Sequence, residues 1–442
     1  MKKKLFGALI AAVAGLSLSS CTSKDYSHII VFWHTMGVSL QQVLQPAVDQ
    51  FEEDNPGWEI EHLQVGGYDD VRNQTIAYIA AGNNPSLVYC YPDHIATYNQ
   101  AGVVVDLNKY INDPEVGLTQ AQKDDFIEGF YNEGASFGDD KMYSLPFSKS
   151  TEVLYYNKTF FDDEGLSVPT TWEEMEEVCR IIKLRYKDSI PLGIDSEANF
   201  FITTAEQKGA AYTSATGEHY LFDNAQNRET VAMLEEWFDK GYCTTQTILG
   251  TYTSSLFVST SGQKSYMSIG STGGANHQKP SGKAFEVGIA PIPTFVKSGS
   301  TATESLKCIS QGPSLAMLNQ PGNEEKMKMT WLFMKDYLLT TEFQAKFSMA
   351  SGYNPVLESV YDNAVYKTFL AGADESFATV ESQNVTALSA SISRTLVDNY
   401  FVSPAFMGSS TARDEVGNLI VNVLRDTDID RAFKDAINNC KA

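Results

Sequence analysis

Few stretches of this 442-residue chain have the residue types and spacing of a chemical site. Gly270-Ser271-Thr272-Gly273-Gly274 could turn backbone amides toward an anion, but no Lys-Ser/Thr pair follows, so it is not a P-loop. Asp426-Thr427-Asp428-Ile429-Asp430 has the alternating carboxylates of a calcium loop. Arg431 stands where that loop needs glycine and Ile437 where it needs glutamate, so the segment reads as the acidic start of a helix. His28, His34, His62, His94, His219 and His277 have no metal-ligand spacing, and no zinc or other metal site is expected. Neither G-x-S-x-G nor H-E-x-x-H occurs. What remains suits non-covalent capture. The 22 tyrosines and 5 tryptophans can cover the C–H faces of a sugar while their polar tips bond its hydroxyls. Arg413, in G-S-S-T-A-R-D-E, could hold a phosphate with two parallel hydrogen bonds beside a helix start, or simply pair with Asp414 or Glu415. A hydrolase remains the alternative, because 55 acidic residues can supply two carboxylates about 5–9.5 Å apart.

Composition narrows the setting. Lys2, Lys3 and Lys4 precede an apolar run from Leu5 to Leu18, too short to span a bilayer comfortably, and Leu18-Ser19-Ser20-Cys21 follows. This order reads as an export signal over 1–20. It also resembles the lipobox of bacterial lipoproteins, which implies lipid attachment at Cys21, a polar tether over 21–27 and a membrane-anchored protein of the cell envelope. Losing the three lysines leaves 30 basic against 55 acidic residues, taking the net charge from −22 to about −25. Such a surface repels polyanions, which excludes nucleic acid as a partner. Cys90, Cys179, Cys243, Cys308 and Cys440 are odd in number and far apart, with no disulfide framework. The length allows two or three domains, and 43% hydrophobic residues can fill their cores.

The elements that would position a site follow an alternating plan. Residues 29–33 predict a buried strand; Ser39 with Gln42 predicts a capped helix, and Asn55-Pro56-Gly57 ends it. A strand over 58–65, a helix over 70–81 and a strand over 86–91 complete the pattern of a parallel α/β sheet. The style returns after residue 170. Thr171 and Glu174 form a capping box, helices are predicted over 228–240 and 324–338, and a strand over 285–289. Between the two regions lies P-F-S-K-S-T-E-V-L-Y-Y-N-K, residues 146–158, with no flexible linker. An extended crossing of this kind makes a stiff hinge.

Phe32-Trp33-His34-Thr35-Met36, Gly82-Asn83-Asn84-Pro85, the 146–158 segment, V-P-T-T-W-E-E-M, V-G-I-A-P-I-P-T and S-G-Y-N-P-V occur in an order that resembles the extracellular solute-binding proteins of bacterial ABC importers. The carbohydrate branch, and within it the glycerol-3-phosphate-binding components, is the nearest pattern, over roughly residues 28 to 435. The resemblance implies an α/β fold of two lobes, the type II periplasmic-binding-protein fold, with three hinge crossings and the ligand in the interlobe cleft. It places the crossings near 146–151, 291–295 and 352–356, each containing Pro or Gly. It implies an N-terminal lobe of 28–147 plus 295–352 and a C-terminal lobe of 148–294 plus 353–442.

Carried over residue by residue, the resemblance implies ligand contacts from Tyr68, Ser150, Ser271, Gly312, Tyr353 and Arg413. Where the pattern has an acidic residue after the third strand this chain has Pro92, with Asp93 beside it, and Phe200 stands in place of a tryptophan. Trp33, Tyr91 and Tyr353, at strand ends or crossings, are further expected cleft residues. The implied ligand is a sugar, an oligosaccharide or a polyol phosphate such as glycerol 3-phosphate. The implied partners are ABC permease subunits; no cofactor and no chemistry of its own are expected, and the protein is expected to be a monomer. A surface adhesin that kept the fold is a further alternative.

Overall fold

The computed structural model describes residues 25–282, 284–375 and 383–442. The export signal over 1–20, Cys21 and most of the tether lie outside them. Two five-stranded sheets organise the chain. In the first the order is Glu59–Gln64, Ile29–His34, Leu87–Cys90, Ser314–Met317, Leu145–Pro146. Its first three strands are parallel, as the strand–helix–strand pattern predicts. The last two are antiparallel to their neighbours, so the sheet is mixed. The reason is long-range: Ser314–Met317 returns from the second half of the chain to pair with the third strand. The second sheet runs Cys243–Thr245, Leu192–Ile194, Met267–Ser271, Glu152–Asn157, Val287–Pro291, with Glu152–Asn157 antiparallel to both neighbours.

Local sequence explains most element boundaries. Thr171 Oγ1 accepts from the amide of Glu174 at 3.1 Å and Glu174 returns a carboxylate to the amides of Thr170 and Thr171. The first helix, Val38–Asp54, buries Leu44, Val48 and Phe51 as its spacing predicts, but its N-cap is Gly37 and no Ser39 capping box forms. The 324–338 pattern is an α-helix to Phe333 that widens into a π-turn over Met334–Leu338. Asp428 caps the last helix, Ile429–Lys441, through Oδ1 to the amide of Arg431.

Each sheet has its own core. Phe32, Leu44, Phe51, Tyr89, Leu145, Phe147, Leu315 and Trp331 belong to one; Leu154, Trp172, Ile182, Leu192, Phe200, Trp237, Met267 and Leu419 to another. Packing divides the chain differently from the expected lobe limits in two places. Phe295 and Ile309 pack with the second sheet's core, so the chain has not yet crossed at residue 295. Val356, Leu357, Val360 and Tyr366 pack with the first sheet's core, beyond the expected end at 352.

Two crossings therefore lie at 147–151 and 310–313; the chain still packs with the first core at Leu370 and packs with Val153 and Val287 of the second sheet at Val385, so 353–355 is a first-lobe segment lying against the first crossing. Lys149 and Asn354 exchange backbone hydrogen bonds of 3.1 and 2.6 Å; Ser150 and Gln311 exchange bonds of 2.9 and 2.8 Å. The second crossing is not at 291–295, where Thr294 pairs with Thr171 inside the second lobe. Pro291 and Pro293 there end a strand; they do not make a hinge. Among the described residues no helix is long and apolar enough to cross a membrane.

Candidate functional site

A cavity of about 440 Å³ lies between the two sheets' domains, inside the range of about 300–1,000 Å³ usual for small-molecule sites. Its first-lobe wall comes from the helix Tyr68–Ala80, which supplies Tyr68, Asp69 and Arg72, and from Tyr91–His94 at the carboxyl end of the third strand. Its second-lobe wall comes from the helix Ser409–Val423 and from the N-terminal turn of the helix Glu197–Lys208. Glu133, Ser310 and Gln311 close the hinge end.

Charged pairs cross the cleft. Arg413 Nε lies 3.5 Å from Asp93 Oδ2, and Arg72 pairs with Asp414 at 3.4 Å and donates to Ser410 Oγ. These contacts hold the lobes face to face, a closed arrangement. Arg413 does not pair with Asp414 or Glu415; its Nη1 donates to Asn199 Oδ1 at 2.6 Å. Asn199 in turn donates to Glu152 Oε1 at 3.2 Å. Burial, helped by the Asp195 carboxylate and opposed by the Asn199 bond, pushes the Glu152 carboxyl up to about 8. Burial also lowers His94 and raises Asp414.

The Glu152 shift sets a stability trend. A folded-state value near 8 against an ordinary 4.5 means the native protein holds a proton that the unfolded chain releases. That contribution is complete below about pH 4.5 and is lost as pH rises to 8. Glu152→Gln, which keeps the acceptor for Asn199 without the ionisable group, is expected to match the wild-type melting midpoint at pH 4.5 and to exceed it progressively up to pH 8. Melting curves across that range check it; a constant gap would refute the shift.

Tyrosines pack at the inner end. Tyr68 lies 4.5 Å from Tyr91 between ring centroids, and its hydroxyl is 3.2 Å from that of Tyr353. Tyr89 bonds Ser148 Oγ at 3.0 Å. Burial raises all four phenols, so they stay neutral donors and acceptors.

Of the expected site residues, Tyr68, Asp93 and Arg413 line the cavity together, with Tyr91. Tyr353 stands behind Tyr68 in the segment that lies against the first crossing. Ser150 is buried in the first crossing, its backbone paired with Gln311. Gly312 is a packing position: at φ +90° it lies against the first crossing, and a side chain there would overlap the Ser148 carbonyl. Ser271 caps the 3₁₀ helix Thr272–Gln278, with its Oγ accepting from Gly273, and is not among the residues lining the cavity. The glycine-rich stretch is thus a short helix, and Gly273 lets the Tyr353 ring approach. Trp33 is buried against Tyr78, 4.8 Å between centroids, away from the cavity. Phe200 is a core residue edge-on to Trp172 at 5.4 Å. It lies on the buried side of the helix whose first turn, with Asn199, faces the cleft. Cys21 lies outside the described residues.

Sequence reading missed Arg72, Glu133, Asn199, Tyr212 and Asp414. Arg72 was within reach, because it sits four residues after Tyr68 on one helix face. Glu133 and Tyr212 carry no local pattern. His34, in the F-W-H-T-M stretch, is structural: its Nε2 lies 3.1 Å from His62 Nδ1, and burial holds it down to about 3.

Comparison with known proteins agrees with this architecture. The UgpB structure of Mycobacterium tuberculosis in complex with glycerophosphocholine superposes with a TM-score of 0.74 at 19% identity, covering 93% of this chain and 97% of that one. The GacH receptor of Streptomyces glaucescens, solved unliganded and with acarbose, gives 0.72 at 16% identity over 93% and 96%. In sequence, the sn-glycerol-3-phosphate-binding periplasmic protein UgpB of Salmonella typhimurium is 24% identical over 367 residues, 80% of this chain and 78% of the relative. The model of the bacterial extracellular solute-binding proteins matches residues 46–377, and the chain belongs to that family.

Proposed function

We propose that this protein is the solute-capturing component of an ABC importer and that its cargo is a neutral or zwitterionic polyol, a sugar before a free phosphate ester. The observation that carries the reading is the Asp93–Arg413 pair, one partner from each lobe, on the cavity wall. A hydroxyl inserted there donates to the carboxylate and accepts from the guanidinium, so one group ties both lobes and biases closure. Five carboxylates, from Asp69, Asp93, Glu133, Glu197 and Asp414, line the cavity against the cations of Arg72 and Arg413. That balance disfavours a phosphate dianion and accepts hydroxyls.

A glycerophosphodiester is the second reading. It is favoured by the first turn of the helix Ser409–Val423, from which Ser409, Ser410 and Arg413 all face the cavity, and by the relatives named for glycerol 3-phosphate and glycerophosphocholine. The family binds solutes and is non-catalytic, so substrate returns unaltered.

Calorimetry with maltose, glycerol 3-phosphate and glycerophosphocholine tests the reading. Stoichiometric binding without product is expected for at least one of them, and Arg413→Ala is expected to weaken it at least tenfold, about 1.4 kcal/mol. No binding, or equal binding by the variant, would count against it. Lobe movement is proposed about the crossings, with the permease receiving the closed form. Lipid attachment at Cys21 is proposed from the lipobox; fatty-acid labelling that survives Cys21→Ser would exclude it.

A further inference from the structure

Glu133 ends the short helix Glu128–Glu133 of the first lobe and has only 3% of its side chain exposed. Its Oε2 is fully engaged: Lys149 Nζ lies 2.6 Å away and Ser310 Oγ 3.4 Å away. Its Oε1 has no partner among the described residues, although the side chain forms part of the cavity wall. Beside it on the same wall stands Gln311, whose side-chain amide is likewise unengaged among the described residues.

Lys149 is completely buried in the first crossing. Its ammonium also donates to the Gly312 carbonyl at 3.2 Å and to Ser314 Oγ at 3.3 Å, on the second crossing and just after it. Its backbone exchanges two hydrogen bonds with Asn354 in the adjoining 353–355 segment. Lys149 therefore ties the first crossing to the second through its side chain and to the 353–355 segment through its backbone, and one carboxylate joins it to the cavity. A buried ion pair needs its remaining lone pairs satisfied; a free oxygen on such a carboxylate is an unfilled acceptor site.

We propose that Glu133 reads a ligand hydroxyl with Oε1 while Oε2 holds Lys149, so that filling the hinge end of the cleft is passed to the first and second crossings. The Gln311 amide serves the same hydroxyl as donor, or an adjacent one, which makes a vicinal diol the group recognised. The inference rests on the solute-capture reading above and adds to it a specificity residue at the hinge.

The test uses the full exported chain with maltose, glycerol 3-phosphate and glycerophosphocholine as probes. Glu133→Leu combined with Lys149→Met removes both charges and keeps the volume, so the fold is expected to hold, with a melting midpoint near wild type. Glu133→Gln is the second variant: it keeps an oxygen for Lys149 and turns an amino group toward the cavity. Both are expected to bind the best probe at least tenfold more weakly. Deoxy analogues of that probe locate the effect: for one hydroxyl position, wild type and variants should bind the analogue alike within about twofold. Variants that fold and bind every probe as wild type does would overturn the role of Glu133 and leave the solute-capture reading standing. A wild type that binds none of the probes would remove both.

Discussion

Gly312→Ala is expected to lose about 3 kcal/mol or more of stability, from a single methyl group. Two effects add. The backbone at residue 312 is left-handed, with φ +90°, a conformation that costs any L side chain about 1–3 kcal/mol. The new Cβ would also overlap the Ser148 carbonyl oxygen and lie 2.9 Å from Lys149 Cα, both backbone atoms of the neighbouring crossing. Backbone cannot swing aside as a side-chain tip can. The crossings must part, and the bonds between Ser150 and Gln311 go with them. Gly274→Ala is the control, since nothing lies within 4 Å of a Cβ there and its φ is ordinary. Its expected change is small, a gain of up to about 1 kcal/mol. Thermal melts of both variants check the contrast; equal midpoints would mean that the crossings are not in contact as described.

Lys149→Met is expected to cost a similar amount, about 3–5 kcal/mol, for a different reason. The substitution leaves the buried Glu133 carboxylate without its counter-charge and removes two further donated bonds, to Gly312 and Ser314. Losing one partner of a buried pair is worse than losing both. Adding Glu133→Leu should therefore recover most of the loss, a coupling that independent sites would not show. Urea titrations of the two single variants and the double give the coupling directly. Strictly additive losses would show that the two charges do not depend on each other.

Much of the fold was legible because its evidence is local. The Thr171–Glu174 box, the helical spacing of Leu44, Val48 and Phe51, and the apolar run at 29–33 each need only a few neighbouring residues to be read. The return strand Ser314–Met317 was not legible, since its pairing with Leu87–Cys90 spans more than two hundred residues and leaves no periodic mark. The second crossing was misplaced for a related reason. Pro291 and Pro293 look like hinge residues, but a proline ends a strand as readily as it stiffens a crossing. Resemblance, which carries position along the chain, led to Tyr68, Asp93 and Arg413, and all three lie on the cavity wall. Phe200 and Trp33 lie off that wall, since position along the chain does not say which side of a helix or strand faces the gap. Glu133 could not be found at all: its meaning comes from Lys149 and Ser310, one sixteen residues away and the other on a separate crossing.

In solution the two lobes are expected to close on a solute and release it unchanged. Small-angle scattering on the full chain, paired with calorimetry on the same samples, tests it most directly. The probe which binds in the calorimeter is expected also to contract the particle, saturating at the same concentration, and Arg413→Ala to shift both curves together. Saturable binding at the cleft with no change in the scattering profile, from a particle that is already open or already shut in every condition, would contradict it.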